Sequence, residues 1–570
     1  MKTEADRIRG AGLLLGPLPA AKELLAAPAL PVTRQVSVRV ERNFPFEWLR
    51  PALDRYMSLW GAGVSLHLSG YDAALPGAEQ AAAADVHLLW IDWRKYRSSL
   101  DASGAAAWLK GRLEALRRHD DKPILVNNWP ETGGIGELLY GAGTLRRRWF
   151  RDVNAAVQEA AETVPGCAVI DLSSLSATMG ASFWDDRNDT AVHYPFSSRA
   201  TLAIARHLGA QLLPAVLMPR LKAVALDLDG TLYDGVLGED GVGGVRLTEA
   251  HYRLQRLLLQ VKHSGIMLAV ISKNEAEDVR SLFSERGDFP LQHDHFAAVL
   301  ANWRPKSENM AELARMLNID PSAILFVDDS YPELLGMLAA LPSVPVLHAD
   351  RDAGVTAERL VHFPGMYLIS EESGMPDRTK DIRANQIREE LRRQAKDTHS
   401  YLAGLDMVIR LYVNCRDHAR RLFDMSRKTN QFNLALRRMS EAEAERAVSG
   451  DGYLTVTVHL SDRLSDSGIV GAFVATVRGG DAHLIEALFS CRALGREVET
   501  VAFAYFLERL QRAGASRLSF DVREGPRNAP ARQWFGRFVK EADRAADIPQ
   551  LLGIVRKACR DHPSRVEEMQ

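Results

Sequence analysis

The sequence predicts a multi-domain α/β chain ending in an α+β unit, and three observations point there. Strand-like apolar runs alternate with helical patterns from about Val32 to Leu217, and the same alternation returns after Leu221. Strands of the second stretch end in residues that carry chemistry, as in VALDLD, VISKN and ILFVDDS. Near the C-terminus three strand-like runs follow one another before a helix. Alternation implies parallel sheets covered on both faces, whereas successive strands imply antiparallel pairing.

A chain of 570 residues is long enough for several cores. With 46% hydrophobic and 25% charged residues and a net charge of −2, it has a globular composition without a nucleic-acid bias. Four cysteines without a CxxC pair fit a reducing cytoplasm and not a disulfide framework. The N-terminal apolar stretch is too broken by charge for a signal peptide, and no run of about 18 apolar residues suggests a membrane span.

In chain order, residues 1–31 read as a leader. Residues 32–217 form a first α/β domain with strands VSVRV, VSLHLSG, VHLLWID, PILVNNW and CAVIDLSS. The aromatic cluster WIDWRKYR within it reads as core and rim. Residues 218–370 form a second α/β domain with strands VALDLD, IMLAVISKN, AAVLANW, AILFVDDS and VPVLHAD. Charged helical sequence is expected from Asp377 to about Glu445, with residues 371–405 as a connector. Residues 406–570 form the α+β domain, with strands YLTVTVHL, GIVGAFVATV, HLIEALFS and RLSFDVRE and the helix VETVAFAYFLERLQRAG.

The stretch LDLDGTLYDGVLGEDG poses the functional question. Asp227 and Asp229 end the first strand of the second domain, Ser272 the second, and Asp328 and Asp329 the fourth, while Lys306 follows the third. Each feature alone is common. Together they supply an attacking carboxylate (Asp227), an acid and base (Asp229), and a hydroxyl and an ammonium for phosphate oxygens (Ser272, Lys306). The turn residues Gly230 and Thr231 stand beside the phosphate position. Asp227, Asp229, Asp328 and Asp329 offer oxygen ligands for Mg2+, which crowded carboxylates need electrostatically.

This ordered set resembles the haloacid dehalogenase superfamily over about Leu221 to Asp350. The resemblance implies a Rossmann-like fold, Mg2+ as cofactor, and the backbone carbonyl of Asp229 among the metal ligands, while the short segment between the first two motifs leaves room only for a small cap. Asp329 ranks as an alternative ligand. Three later stretches, MSRKTNQFNLALRRMSEAE, LSDRLSDSGIVGAF and LFSCRALGREVE, resemble the C-terminal half of the FkbH-like family. That family joins a dehalogenase-type domain to a GNAT-like one. The resemblance implies dephosphorylation of 1,3-bisphosphoglycerate and transfer of a glyceryl group, as a thioester, to an acyl carrier protein in polyketide or related biosynthesis. The implied partners are the carrier's phosphopantetheine arm and a small phosphorylated three-carbon acid, with no nucleic acid or membrane.

In this frame Cys491 is either the acyl-accepting thiol or an ordinary buried cysteine. Arg492, Gly495 and Arg496 form the turn that would hold the pantetheine phosphate, or else the arginines are solvated surface charges. Glu497 replaces the second glycine usual in such turns, which disfavours free coenzyme A. Asn274, Lys428, Asn430, Gln431 and Asn433 are expected at the substrate or at a domain junction, and Asp462 and Arg463 belong to the same family-like signatures. The first domain is similar to SGNH hydrolases and flavodoxin-like sheets. It has no serine after its first strand, and Asp189 and His193 are off by one in spacing, so it is expected to be non-catalytic. Two alternatives remain: a Mg-dependent phosphatase of a small metabolite, or transfer of a different phosphorylated acyl group. A scaffold without chemistry would have no need of the four motifs.

Overall fold

The computed structural model describes the chain apart from residues 1, 29, 72–83, 132–139, 370–377, 430, 491–492, 526–527, 541–542 and 570. It divides into two compact units, Met1–Ser373 and Gly374–Gln570.

The first unit holds two five-stranded parallel sheets. One contains β1 (Arg34–Arg42), β2 (Ala62–Leu68), β3 (Val86–Trp90), β4 (Ile124–Asn127) and β5 (Cys167–Ile170), in the order β2-β1-β3-β4-β5. The other contains β6 (Ala223–Leu226), β7 (Met267–Ser272), β8 (Phe296–Ala301), β9 (Ile324–Asp328) and β10 (Val346–His348), in the order β10-β9-β6-β7-β8. Central strands of such sheets are covered on both faces, which explains why β6 and β9 are apolar runs buried along their whole length. Between β6 and β7 lie only the helices Leu237–Gly244 and Glu249–His263, so the cap is small.

Residues 1–31 contain the helices Lys2–Leu15 and Ala21–Ala26. Leu14 joins the core of the first sheet and its neighbour Leu15 that of the second. The helical stretch Ser198–Leu217 is long and apolar enough to cross a membrane by composition, but 61% of it is buried inside the fold. The aromatic cluster is core: Trp90 and Trp93 are both 0% exposed.

The second unit is α+β. Its eight-stranded sheet runs β17-β16-β15-β14-β13-β11-β18, with β12 paired to β15. The strands are β11 (Val408–Val413), β12 (Phe432–Asn433), β13 (Tyr453–Ser461), β14 (Asp466–Arg478), β15 (Asp481–Phe489), β16 (Arg517–Phe520), β17 (Ala545–Asp547) and β18 (Arg565–Met569). Here the expectation of helix from Asp377 to Glu445 is corrected, because β11 and β12 interrupt it. Ile409 and Leu411 alternate with polar residues and are fully buried, and β11 is held by β13 on one side and β18 on the other. Its parallel partner lies more than 150 residues further along the chain, as the Arg410–Glu567 pairing shows. A local pattern cannot announce such a partner.

Candidate active site at the carboxyl edge of the second sheet

In an open α/β sheet, ligands bind beyond the carboxyl ends of the strands where the strand order reverses. In the second sheet that point lies between β6 and β9. The chain places Asp227 just past β6 and Asp328 at the end of β9, and the Asp227 amide donates to the Val327 carbonyl (2.9 Å). Ligand oxygens of Asp227, Asp328 and Asp329 all lie within 4.8 Å of one another.

Lys306 opens the helix Lys306–Leu317 directly after Pro305. The preceding loop is pinned: the Arg304 amide donates to Asn302 Oδ1 (3.0 Å), and the Asn302 and Asn309 amides bond each other. This drives the Lys306 ammonium inward, where it bonds Asp328 Oδ2 (2.6 Å) and lies 3.0 Å from Asp227 Oδ2. Ser272, 1% exposed, takes a hydrogen bond from Asn274 Nδ2 (3.0 Å) and bonds the Asp227 carboxylate. Sequence reasoning placed Asn274 with the substrate or a junction. The structure puts it between Ser272 and Asp229, whose Oδ2 it also bonds (2.9 Å).

Asp229 is turned toward the cap. Its Oδ1 accepts from the Tyr233 hydroxyl (2.7 Å) and the Leu237 amide (3.0 Å). Tyr233 and Leu237 were missed by motif reasoning, because a tyrosine four residues on and a main-chain N–H carry no chemical signature of their own. Gly230 has φ +64°, and a Cβ there would lie 2.6 Å from Asp329 Oδ2. The turn needs glycine for its conformation and also for the close approach of that carboxylate. Thr231 is 2% exposed, and its hydroxyl has no hydrogen-bond partner.

Electrostatically the site is out of balance. Three carboxylates (Asp227, Asp328, Asp329) face one ammonium. Burial, and then the Asp227 charge, push Asp328 up to about 7 and also raise Asp329. Burial raises Asp227 despite Lys306 beside it. For Lys306, burial pulls downward, but the Asp227 and Asp328 carboxylates prevail and raise it. Asp227 Oδ1 is buried and accepts no hydrogen bond. Buried polar atoms are rarely left unpaired. An all-oxygen donor set with excess negative charge and an orphaned carboxylate oxygen fits a hard divalent cation.

The sites expected in the second unit fare differently. Cys491, Arg492 and Asn430 lie outside the described residues, as does the Lys428 side chain. For Arg496, expected to hold the pantetheine phosphate or else to be a solvated surface charge, the second alternative is corrected: it is 2% exposed and bonds Asp462 Oδ2 (2.7 Å). Asp462 also takes two bonds from Arg388, at 2.9 and 2.8 Å. Burial would raise Asp462, but its bonds to Arg388 hold it below the usual carboxylate range. Arg463 is exposed, and its amide bonds the Leu405 carbonyl (3.1 Å).

Gly495 has φ +77° and Glu497 adopts the left-handed conformation (φ 53°), so the turn keeps a glycine-like shape at a glutamate. Asn433 is fully buried. Its Oδ1 accepts from the Leu436 amide (2.6 Å) and its carbonyl from Asn528 Nδ2 (3.0 Å), so it ties together a loop of this unit. Gln431 is exposed at the start of that loop.

No protein-family model matches the chain, and neither does any curated protein. Among solved structures, the chain is similar to the N-terminal part of a Bacteroides fragilis protein containing a phosphatase domain complexed with Mg. That similarity has 21% identity and a TM-score of 0.50, covering 62% of this chain and 100% of that one. At this identity the match establishes a shared fold. The ribosomal-protein-S18-alanine N-acetyltransferase from Escherichia coli matches 22% of this chain and 74% of its own, at 14% identity and a TM-score of 0.18. Tetrahymena GCN5 matches 25% and 96%, at 12% identity and a TM-score of 0.17. Scores this low carry no weight for the second unit.

Proposed function

We propose that the Asp227 centre is a magnesium-dependent phosphoryl-transfer site. The observation that carries this is the unpaired, buried Asp227 Oδ1 amid three clustered carboxylates at the reversal point of the sheet. Asp227 and Asp328 would hold the metal, with the Asp229 carbonyl and Asp329 beside them. Bound there, magnesium polarises phosphoryl oxygens and offsets the carboxylate charge.

Asp227 attacks phosphorus, its new O–P bond forming as the bond to the leaving oxygen breaks. Ser272, Lys306 and the unpaired Thr231 hydroxyl hold the phosphoryl oxygens. Asp229 gives a proton to the leaving oxygen, after exchanging a cap hydrogen bond for it. It then takes a proton from water, whose oxygen attacks phosphorus and frees Asp227 and inorganic phosphate. The test is phosphate release from p-nitrophenyl phosphate: magnesium-dependent, abolished by EDTA and by Asp227→Asn. Turnover at the wild-type rate in that variant would remove Asp227 as the nucleophile.

The finer reading rests on the FkbH-like resemblance. The donor is 1,3-bisphosphoglycerate, and a glyceryl group passes to the phosphopantetheine thiol of an acyl carrier protein, with Cys491 as the candidate relay. A second reading, a plain phosphatase of a small metabolite, is favoured by the second unit. Arg496 is committed to Asp462, and Glu497 and Glu499 occupy the start of the helix Val498–Arg512. Glu499 is buried with one unpaired oxygen, and burial pushes it up to about 7. Acidic groups at a positive helix end compete with any phosphate there.

Intact-mass measurement of a holo carrier protein mixed with enzyme, magnesium and the donor separates the two. A glyceryl-sized gain that Cys491→Ala abolishes supports transfer. Phosphate release with the carrier mass unchanged supports the phosphatase.

A further inference from the structure

Away from the carboxylates, the first unit contains a cavity of about 680 Å3 lined by Leu18, Thr178, Ser182, Arg199, Arg206 and Glu358, among others. Arg199 and Arg206 lie on one face of the helix Ser198–Arg206, seven residues apart. Glu358 comes from the helix Ala353–Val361 on the second sheet's side, and Leu18 from the segment that follows the first helix.

Arg206 is only 9% exposed. Its Nη1 donates to the Gly16 carbonyl (2.8 Å), and Glu358 Oε1 stands at 3.7 Å, beyond hydrogen-bond reach. Among the described residues it makes no other hydrogen bond, and the residue lines the cavity. Arg199, exposed at the same opening, has no ion-pair partner among the described residues. The walls do not offset this charge. Thr178 and Ser182 spend their hydroxyl protons on the Ser174 and Met179 carbonyls. Two guanidinium groups against one carboxylate leave the cavity one positive charge in excess. Burial lowers the Arg206 pKa, the Tyr56 and Glu358 charges oppose that, and the Arg199 charge adds to the lowering, so burial outweighs the counter-charge nearby.

We propose that this cavity binds a small phosphate-bearing anion through Arg199 and Arg206, at a site separate from the Asp227 centre. Guanidinium forks match phosphate oxygens in pairs, and charge-assisted bonds of this kind are the strong ones. The volume suits a small organic phosphate. Because the lining comes from helices on both sheets and from the segment after the first helix, an occupant would also brace that junction. The proposal does not rest on the phosphoryl-transfer reading.

Equilibrium dialysis of the full chain against labelled inorganic phosphate in EDTA tests it. Without a divalent cation the Asp227 carboxylates repel phosphate, so retained phosphate reports on the arginine cavity. One phosphate bound per chain is expected. Arg206→Lys, which keeps the charge and loses the fork, and Arg199→Gln should each weaken binding by about tenfold or more. Arg199 is exposed, so its variant stays informative if the Arg206 variant folds poorly. Absence of binding, or equal binding by wild type and Arg199→Gln, would overturn the proposal and leave Arg206 as a strut to Gly16.

Discussion

The two parallel sheets of the first unit have the same number of strands and the same kind of opening, yet one opening is closed and the other is charged. Strand order reverses between β1 and β3 in the first sheet and between β6 and β9 in the second. At the first point Phe44 stacks on Trp90 at 4.9 Å, and Asn43 bonds the Asp92 backbone from both ends of its amide. Next to it, Asn127 Oδ1 accepts from the Ile91 amide (2.7 Å) while its Nδ2 donates to the Ile91 carbonyl (2.8 Å). Arg94 bridges Asp92 and Asp189, and His193 stands apart, exposed, in a left-handed turn. Asn43, Asn127 and Arg94 thus have partners at this edge, while Glu41 Oε2 and Trp129 Nε1 are buried without one. At the second point three carboxylates crowd one lysine, and an oxygen is unpaired. What separates the two edges is charge: the second gathers three carboxylates around one ammonium.

The comparison breaks most visibly at Asp227. Asp227→Asn should lower phosphate release more than about a thousandfold while leaving the melting temperature unchanged or higher. It removes one of three crowded charges, so lost activity with lost stability would contradict a site held under electrostatic strain. Asn127→Leu should show the reverse signature. It strands the Ile91 N–H and C=O in the core and should cost about 2–4 kcal/mol in denaturant unfolding, with phosphatase kcat/KM within a factor of two.

Gly230→Ala tests the fit of the second site more gently. The added methyl collides with Asp329 and sits at a positive φ, so a loss of about 1 kcal/mol is expected, with a magnesium requirement raised about tenfold. Activity titrated against magnesium reads this out, and an unchanged midpoint would mean that Asp329 takes no part in metal binding.

The smallest effect concerns Asp171, at the closed edge. Burial would raise this carboxyl, but bonds from Ser174 and Asn128 outweigh it and hold it below the usual range. A depressed folded value contributes stability that is present above the unfolded value, about 3.9, and is lost as pH falls through the folded one. Asp171→Asn should therefore flatten the decline of stability below about pH 4, by under about 1 kcal/mol. An acid-unfolding profile identical to wild type would show that the carboxyl contributes nothing.

Legibility in the sequence followed the range of the interactions. Asp227, Ser272, Lys306 and Asp328 were readable because each sits at or near the end of an apolar run whose period gives the strand away. The partners of Asp229 were not readable, since Tyr233 and the Leu237 amide matter only once the cap folds over. Arg496 was read as a phosphate-holding turn residue or a surface charge, because nothing nearby hinted at Asp462, 34 residues earlier, or at Arg388. Strand β11 was read as helix because charged helical sequence flanks it and its partner β18 closes the chain.

Apolar periodicity determined the alternation of strands and helices, and with it two parallel sheets and a set of acidic strand ends, because burial on both faces demands continuous apolar strands. Strand order, the point where it reverses, and the balance of partners there belong to the tertiary structure alone. They depend on which distant strands become neighbours, and a polar group's state depends on what it meets. That is why Asn127 and Asp227, each at the end of a buried strand, became a sealed joint and an open carboxylate.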